Sequence, residues 1–189
     1  IVVASGKTTT ITRTNSATAT LDLDPGADYN LTTGTLTIQA GGTLDATSSL
    51  SAINIAGNYT NNGTFTAGSS TFTLNGGSTQ TLSGTMTGGS AFYNLIITNN
   101  FGASASDCER TGFTASVDFD ASAEVTGTYT IATANVRVEY NSTSTYTVNN
   151  LSWEGTAGNL IYSRNSVAGS GSWVLNVSGT QGDGVSYVN

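Results

Sequence analysis

The sequence of 189 residues contains no histidine, one cysteine, one proline and one methionine. Without histidine the chain lacks the commonest general base and the commonest zinc ligand, which excludes a serine–histidine–aspartate triad and a histidine-bound zinc site. The single Cys108 cannot form a disulfide within the chain or a thiolate metal cluster. We therefore predict that the chain is not an enzyme and carries no cofactor, apart from the calcium considered below.

Charged residues are also scarce. They make up 9% of the chain, against about 25% in an average soluble domain. The net charge of −7 would repel nucleic acid and anionic membranes. No apolar run approaches the roughly 20 residues that a membrane-spanning helix needs. We expect no nucleic-acid partner and no membrane insertion, and the low charge with abundant threonine and asparagine favours an extracellular or cell-surface location.

Alternation of apolar and polar residues is the dominant pattern of the sequence. Threonine is common, and its branched Cβ suits an extended, half-buried backbone. GG, NG and NN pairs between the alternating segments supply the residues that sharp corners need. The eight Tyr, six Phe and two Trp are too many for a disordered chain. The pattern predicts an all-β protein whose clearest strands lie at 8–14, 17–23, 34–39, 71–75, 117–120, 127–133, 135–140 and 145–149.

Apolar-x-apolar pairs recur about every 20 residues, which is typical of the coils of a parallel β-helix. Each coil would contribute two or three short strands, and equivalent residues would stack on the next coil. We predict a right-handed parallel β-helix, in which Leu36, Ile53, Phe72 and Leu95 form one inward stack on consecutive coils. An antiparallel β-sandwich or jelly roll is the alternative, because its strands would recur at nearly the same intervals.

A polar and locally charged stretch near the middle of the chain interrupts the pattern and contains Cys108. It suggests a Thr/Gly-rich solenoid segment at 1–100, a loop or boundary at 101–112 and a second β segment at 113–189. The same stretch is equally compatible with a loop on one continuous domain.

Four runs of the sequence carry a resemblance to known proteins: "INIAGNYTNNGTFTAGSSTFTLNGGSTQTLSG" (53–84), "FYNLIITNN" (92–100), "SWVLNVSGTQ" (172–181) and "VSYVN" (185–189). They resemble repeat segments of large bacterial and archaeal cell-surface proteins of the autotransporter-like or adhesin-like kind. The resemblance covers about half of the chain and implies a parallel β-helix, a surface location and a scaffold role. It implies no catalytic residue.

Carboxylates form two tight groups in the sequence. Asp22, Asp24 and Asp28 surround a Pro-Gly turn, and oxygen ligands at this spacing predict a candidate calcium site. The alternative is a solvated strand face whose like charges keep sheet edges apart. The second group has the same two interpretations and comprises Asp118, Asp120 and Glu124. Neither group has a neighbouring Arg or Lys in the sequence, which disfavours catalysis on an acidic polysaccharide.

These observations favour a non-catalytic structural segment of a cell-surface fibre, filament or adhesin. Its partners would be other copies or neighbouring repeats, reached through terminal strands at Ile1–Ala4 or Val185–Asn189, and surface polysaccharide is a further candidate partner. One alternative is a carbohydrate-binding module that uses Trp153, Trp173 or tyrosines, although alternation places these aromatic residues in the core. The other alternative is a fragment of a polysaccharide-degrading β-helix enzyme.

Overall fold

All pairings between the named strands are parallel in the computed structural model, which describes residues 7–13, 18–23, 29–47, 50–102, 114–166, 171–180, 185–186 and 188. The strands stack as a β-solenoid of about 6 turns, and equivalent positions are about 23 residues apart. The predicted parallel β-helix is therefore confirmed, with a somewhat longer repeat than the sequence indicated. The antiparallel sandwich is wrong for the described residues.

Three sheets form the sides of the solenoid. The first sheet has seven strands: β1 (Thr8–Ile11), β4 (Thr35–Ile38), β7 (Tyr59–Asn61), β10 (Gln80–Gly84), β12 (Val117–Phe119), β14 (Val136–Tyr140) and β16 (Ile161–Asn165). The second sheet has eight: β3 (Leu31–Thr33), β6 (Ala52–Ile55), β9 (Thr71–Leu74), β11 (Asn94–Ile97), β13 (Ala123–Ile131), β15 (Thr145–Glu154), β17 (Val174–Val177) and β18 (Val185–Ser186). The third sheet has three: β2 (Ala19–Asp22), β5 (Gly42–Asp45) and β8 (Thr64–Thr66).

The core consists of the alternate residues of each strand that point inward. In the second sheet Ile53, Phe72 and Leu95 stack in register and are buried. The prediction that Leu36 belongs to this stack is wrong, because Leu36 lies in the first sheet and Leu31 pairs with Ile53 instead. One coil carries an apolar-x-apolar pair on each side, so spacing along the chain does not show which side a pair occupies.

The third sheet ends where a short 3-10 helix, Gly88–Ser90, replaces its next strand. The Ser90 hydroxyl accepts a hydrogen bond from the Phe65 N–H at 3.2 Å, and the Glu124 carboxylate accepts one from the Gly88 N–H at 2.8 Å. Beyond this point β13 and β15 are much longer than the earlier strands of the second sheet. The later coils thus close their circumference with long strands rather than a third sheet.

Asparagine side chains link consecutive coils at several corners. In each case the Oδ1 atom accepts a hydrogen bond from a backbone N–H of the next coil, which satisfies a main-chain donor. The pairs are Asn30 with Ala52 at 2.8 Å and, at 3.0 Å each, Asn58 with Thr81, Asn94 with Thr128 and Asn150 with Thr180.

A buried polar corner joins the coils on either side of residues 103–113, which lie outside the described residues. The Gln80 amide donates to the carbonyls of Ile55 and Gly57 at 2.9 and 2.7 Å. The Asn99 amide donates to the Gln80 Oε1 and to the Ser116 carbonyl at 3.1 and 3.0 Å. Strand β10 pairs with β12, and β11 pairs with β13, so the flanking segments share two sheets. The proposed boundary at 101–112 itself stays a prediction.

The C-terminal residues partly pair within the chain. Val185 and Ser186 form β18 and pair with Trp153 and Glu154 of β15. Assembly through terminal strands at Ile1–Ala4 or Val185–Asn189 stays a prediction, although Val185 and Ser186 pair within the chain itself. Ile1–Ala4 lies outside the described residues.

Candidate functional site

The outer face of the first sheet carries the most regular side-chain array in the described part of the chain. Alternate residues of β1, β4, β7 and β10 point outward, because their neighbours are buried in the core. The register places Thr10, Thr37, Thr60 and Ser83 in one column along the solenoid. We call the outward hydroxyl residues of these four strands the hydroxyl grid: Thr8, Thr10, Thr35, Thr37, Thr60, Thr81 and Ser83.

From β12 onward the outer face of the first sheet carries charged side chains instead of hydroxyl groups. Thr81 pairs in register with Asp118, Asp118 with Glu139, and Glu139 with Arg164. We call this region the charged cluster, which comprises Asp118, Asp120, Arg137, Glu139 and Arg164. Register on consecutive coils brings Asp118 and Glu139 together although they are far apart in sequence.

An ion pair organises one side of the charged cluster. The Arg137 Nη2 atom lies 2.7 Å from the Glu139 Oε1, and the Arg137 Nε donates to the same oxygen at 2.8 Å. The side chains of both residues stay partly exposed, at 15% and 14%. Two donors of one guanidinium thus contact a single oxygen of the Glu139 carboxylate.

Asp118 has a different environment from Glu139. Burial, followed by repulsion from Asp120 and Glu139, raises the pKa of Asp118 from its ordinary value of 3.8 to about 6. Its Oδ1 atom is buried and has no hydrogen-bond partner among the described residues. Two neighbouring carboxyl groups thus have different surroundings, since Asp118 is half-buried and poorly solvated whereas Glu139 is paired with an arginine.

The calcium candidates fall mostly outside the described residues. Asp24 and Asp28 lie there, whereas Asp22 is at the end of β2, in register with Asp45 of β5. The Asp45 Oδ1 accepts hydrogen bonds from the N–H and hydroxyl of Thr47 at 3.0 and 2.7 Å. Among the described residues no group of three or more acidic or cysteine side chains is placed to hold a metal ion. The calcium site at Asp22, Asp24 and Asp28 stays a prediction.

The second carboxylate group is divided by the fold. Glu124 caps the 3-10 helix through Gly88, while Asp118 and Asp120 belong to the charged cluster with Glu139. Sequence reasoning missed Glu139 and its partner Arg137. The run "VRVEY" (136–140) already shows charged residues that alternate with buried ones. Only the register between coils, however, shows that Glu139 lies beside Asp118.

Aromatic residues lie mainly in the core, as the alternation predicted. Trp153 is buried against Tyr129, and Trp173 stacks on Tyr140 with ring centroids 4.2 Å apart. Burial raises the pKa of the Tyr140 hydroxyl well above its ordinary value. The most exposed described aromatic side chains lie just outside strands: Tyr29, Tyr93 and Phe101. The described sheet faces therefore carry no aromatic platform for sugar stacking, and Cys108 lies outside the described residues.

Searches with protein-family models, curated proteins and solved structures found no match to this chain. No helix of the described part is both long and apolar enough to span a bilayer.

Proposed function

We propose that the chain is a non-catalytic structural segment of an extracellular, cell-surface fibre or adhesin. The observation that carries the proposal is the register of the solenoid, in which residues at equivalent positions stack from β3 to β15 in one sheet and from β1 to β16 in another. A solenoid extends along one axis by repeating a coil, and each coil contacts only its neighbours. Such a scaffold suits a rod that spans distance at a surface. The low charge and the resemblance of 53–100 to repeats of surface proteins support the same function.

The proposed partners are other copies of the chain or neighbouring repeats. Among the described strands, β1 and β16 stand at the edges of the first sheet, and β3 and β17 at those of the second. Edge strands with free backbone groups tend to pair with further strands. Near β17 the inward side chains of Trp173, Leu175 and Val177 pack against the core but stay partly exposed. A further coil stacked there would bury them, and repeated head-to-tail contacts would form a filament.

Sedimentation velocity over a range of concentrations, combined with negative-stain microscopy, tests this assembly. We expect the purified chain to form short rods that lengthen as concentration rises. Leu175→Lys places a charge on the inward side of β17 and should shift the distribution toward monomers, whereas Val174→Lys on the exposed side should leave it unchanged. Circular dichroism confirms that both variants fold. A parent chain that stays monomeric at every concentration would contradict the proposal.

A second candidate function is polysaccharide cleavage at the charged cluster. One observation favours it: Asp118, whose pKa is raised to about 6, stacks directly on the arginine-paired Glu139. A pair of carboxyl groups in different surroundings is the arrangement that glycosidases use for acid and base roles. Incubation with acidic and neutral polysaccharides separates the two functions. Release of reducing ends or unsaturated sugars that is lost in Asp118→Asn and Glu139→Gln would establish cleavage. No release is expected of a structural segment.

A further inference from the structure

The hydroxyl grid is a two-dimensional array with two fixed repeats. Neighbouring strands of a sheet lie about 4.7–4.9 Å apart, and alternate residues of one strand lie about 6.6–6.8 Å apart. The pairings Thr8 with Thr35, Thr10 with Thr37, and Thr37 with Thr60 keep the columns aligned without a shift. Asn58 occupies the remaining position, and its side-chain oxygen is directed to the Thr81 N–H at 3.0 Å. The array therefore presents hydroxyl and methyl groups at lattice-like positions over four coils.

Buried residues on the inner face of the same strands hold the array rigidly. The inward neighbours Leu36, Ile38, Tyr59 and Leu82 are fully buried. Threonine has few χ1 rotamers because its Cβ is branched, so its hydroxyl and methyl groups point in defined directions. Thr60 and Ser83 are also joined by a hydrogen bond of 3.1 Å between their hydroxyl oxygens. Little side-chain freedom would be lost when the grid meets a rigid partner.

The chemistry of the grid narrows the choice of partner. It carries no charge, in contrast to the charged cluster on the same sheet, so a charged polymer or headgroup gains nothing from it. It carries no aromatic ring, so it offers sugars no stacking surface. A single hydroxyl exchanges one hydrogen bond with water for another at little net gain. Many such groups bind together only if the partner repeats at the same spacings and is itself neutral.

We propose that the hydroxyl grid binds the surface of ice. Both repeats of the grid are close to the spacings at which water molecules recur on the prism faces of hexagonal ice. The hydroxyl oxygens would take lattice positions, and the methyl groups would lie between them. One aligned column on the outer face of the second sheet is also uncharged, but it mixes residue types, which makes it the natural control surface: Thr32, Asn54, Thr73, Ile96, Thr130 and Ser152.

Ice recrystallisation and the shape of single ice crystals near the melting point provide the test. The parent chain should slow recrystallisation and facet the crystals. Thr37→Lys and Thr60→Lys place a long charged side chain in the middle of the grid and should raise the concentration needed for the same inhibition at least about tenfold. Thr73→Lys makes the same substitution at a half-buried outward threonine of β9 and should behave as the parent. Circular dichroism establishes that all three variants fold.

Three results would overturn the proposal. The first is a parent chain that affects ice no more than serum albumin at the same concentration. The second is an equal loss of activity in Thr73→Lys and Thr37→Lys. The third is retention of crystalline cellulose or chitin through the grid, lost in Thr37→Lys, without any effect on ice. These readouts do not depend on the assembly measured by sedimentation, so failure of one proposal does not imply failure of the other.

Discussion

The two halves of the solenoid, residues 7–102 with β1–β11 and residues 114–188 with β12–β18, share the first and second sheets but differ on the surface and in the core. The outer face of the first sheet carries the hydroxyl grid in the first half and the charged cluster in the second. The backbone register is continuous across this change. The fold therefore dictates where outward side chains lie but leaves their chemistry open.

The aromatic cores of the halves also differ in geometry. In the first half Phe72 meets Tyr59 and Phe92 edge-on, at interplanar angles of 62° in both pairs. In the second half Phe119 and Tyr140 are stacked, with an interplanar angle of 7°. The stacked pair occupies one column of the first sheet, whereas Phe72 extends from the second sheet toward its partners. Both arrangements are favourable for aromatic pairs, so the position of each ring in the coils selects between them.

The largest expected effect tests whether the halves unfold together. Phe72→Ala and Phe119→Ala should each lower the free energy of unfolding by about 3–5 kcal/mol, because each removes a buried ring. Both tryptophans lie in the second half, so their fluorescence reports on that half while circular dichroism reports on both. Pairing between β10 and β12 predicts coincident urea transitions for both probes. Separate transitions in Phe72→Ala would show that the halves unfold independently.

A smaller effect is expected at the junction between the halves. Gln80→Leu removes the hydrogen bonds that the Gln80 amide makes with the Ile55 and Gly57 carbonyls, the Gly76 N–H and the Asn99 amide. We expect a loss of about 2–3 kcal/mol in the free energy of unfolding, measured by urea titration. Gln39→Leu, at an exposed glutamine, should change it by less than about 0.5 kcal/mol. Equal effects of the two substitutions would show that the polar corner does not join the halves.

The stability of the chain should depend on pH through Asp118 of the charged cluster. The folded chain favours neutral Asp118, so this residue destabilises the fold as pH rises from about 4 through 6, and the lost stability returns on acidification. Asp118→Asn should stabilise the chain at pH 7 by on the order of 1 kcal/mol, a value reduced for solvent screening of a half-buried group. It should also diminish the gain in melting temperature between pH 7 and pH 5. Glu154→Gln, at an exposed carboxylate, should leave that gain as in the parent.

The smallest expected effect concerns the ion pair of the charged cluster. Arg137→Gln removes the partner of Glu139 and should cost no more than about 1 kcal/mol at low salt. Sodium chloride should reduce the difference between variant and parent, because mobile ions screen the charges. Thr37→Gln introduces the same residue in the uncharged hydroxyl grid, and its effect should not depend on salt. A loss in Arg137→Gln that salt does not alter would mean that packing, rather than charge, stabilises this face.

Local pattern alone was enough to predict the fold class. Alternation of apolar and polar residues at 71–75 and 135–140 specified strands, since side chains of an extended chain point to opposite faces in turn. The same rule correctly placed Trp153 in the core. Composition was equally decisive for some kinds of site, because a chain with no histidine and a single cysteine cannot form a histidine-bound zinc site or an internal disulfide.

Only the tertiary structure decided which coil neighbours meet. Leu31, rather than Leu36, lies below Ile53, and Glu139, rather than Glu124, lies beside Asp118. Each coil has several similar strands, and turns of different length separate them, so counting residues does not reveal the register. The energy that selects the register comes from contacts between distant segments: stacked core side chains, the coil-linking asparagines and the Gln80–Asn99 corner. The hydroxyl grid and the charged cluster therefore exist as surfaces only once the coils have stacked.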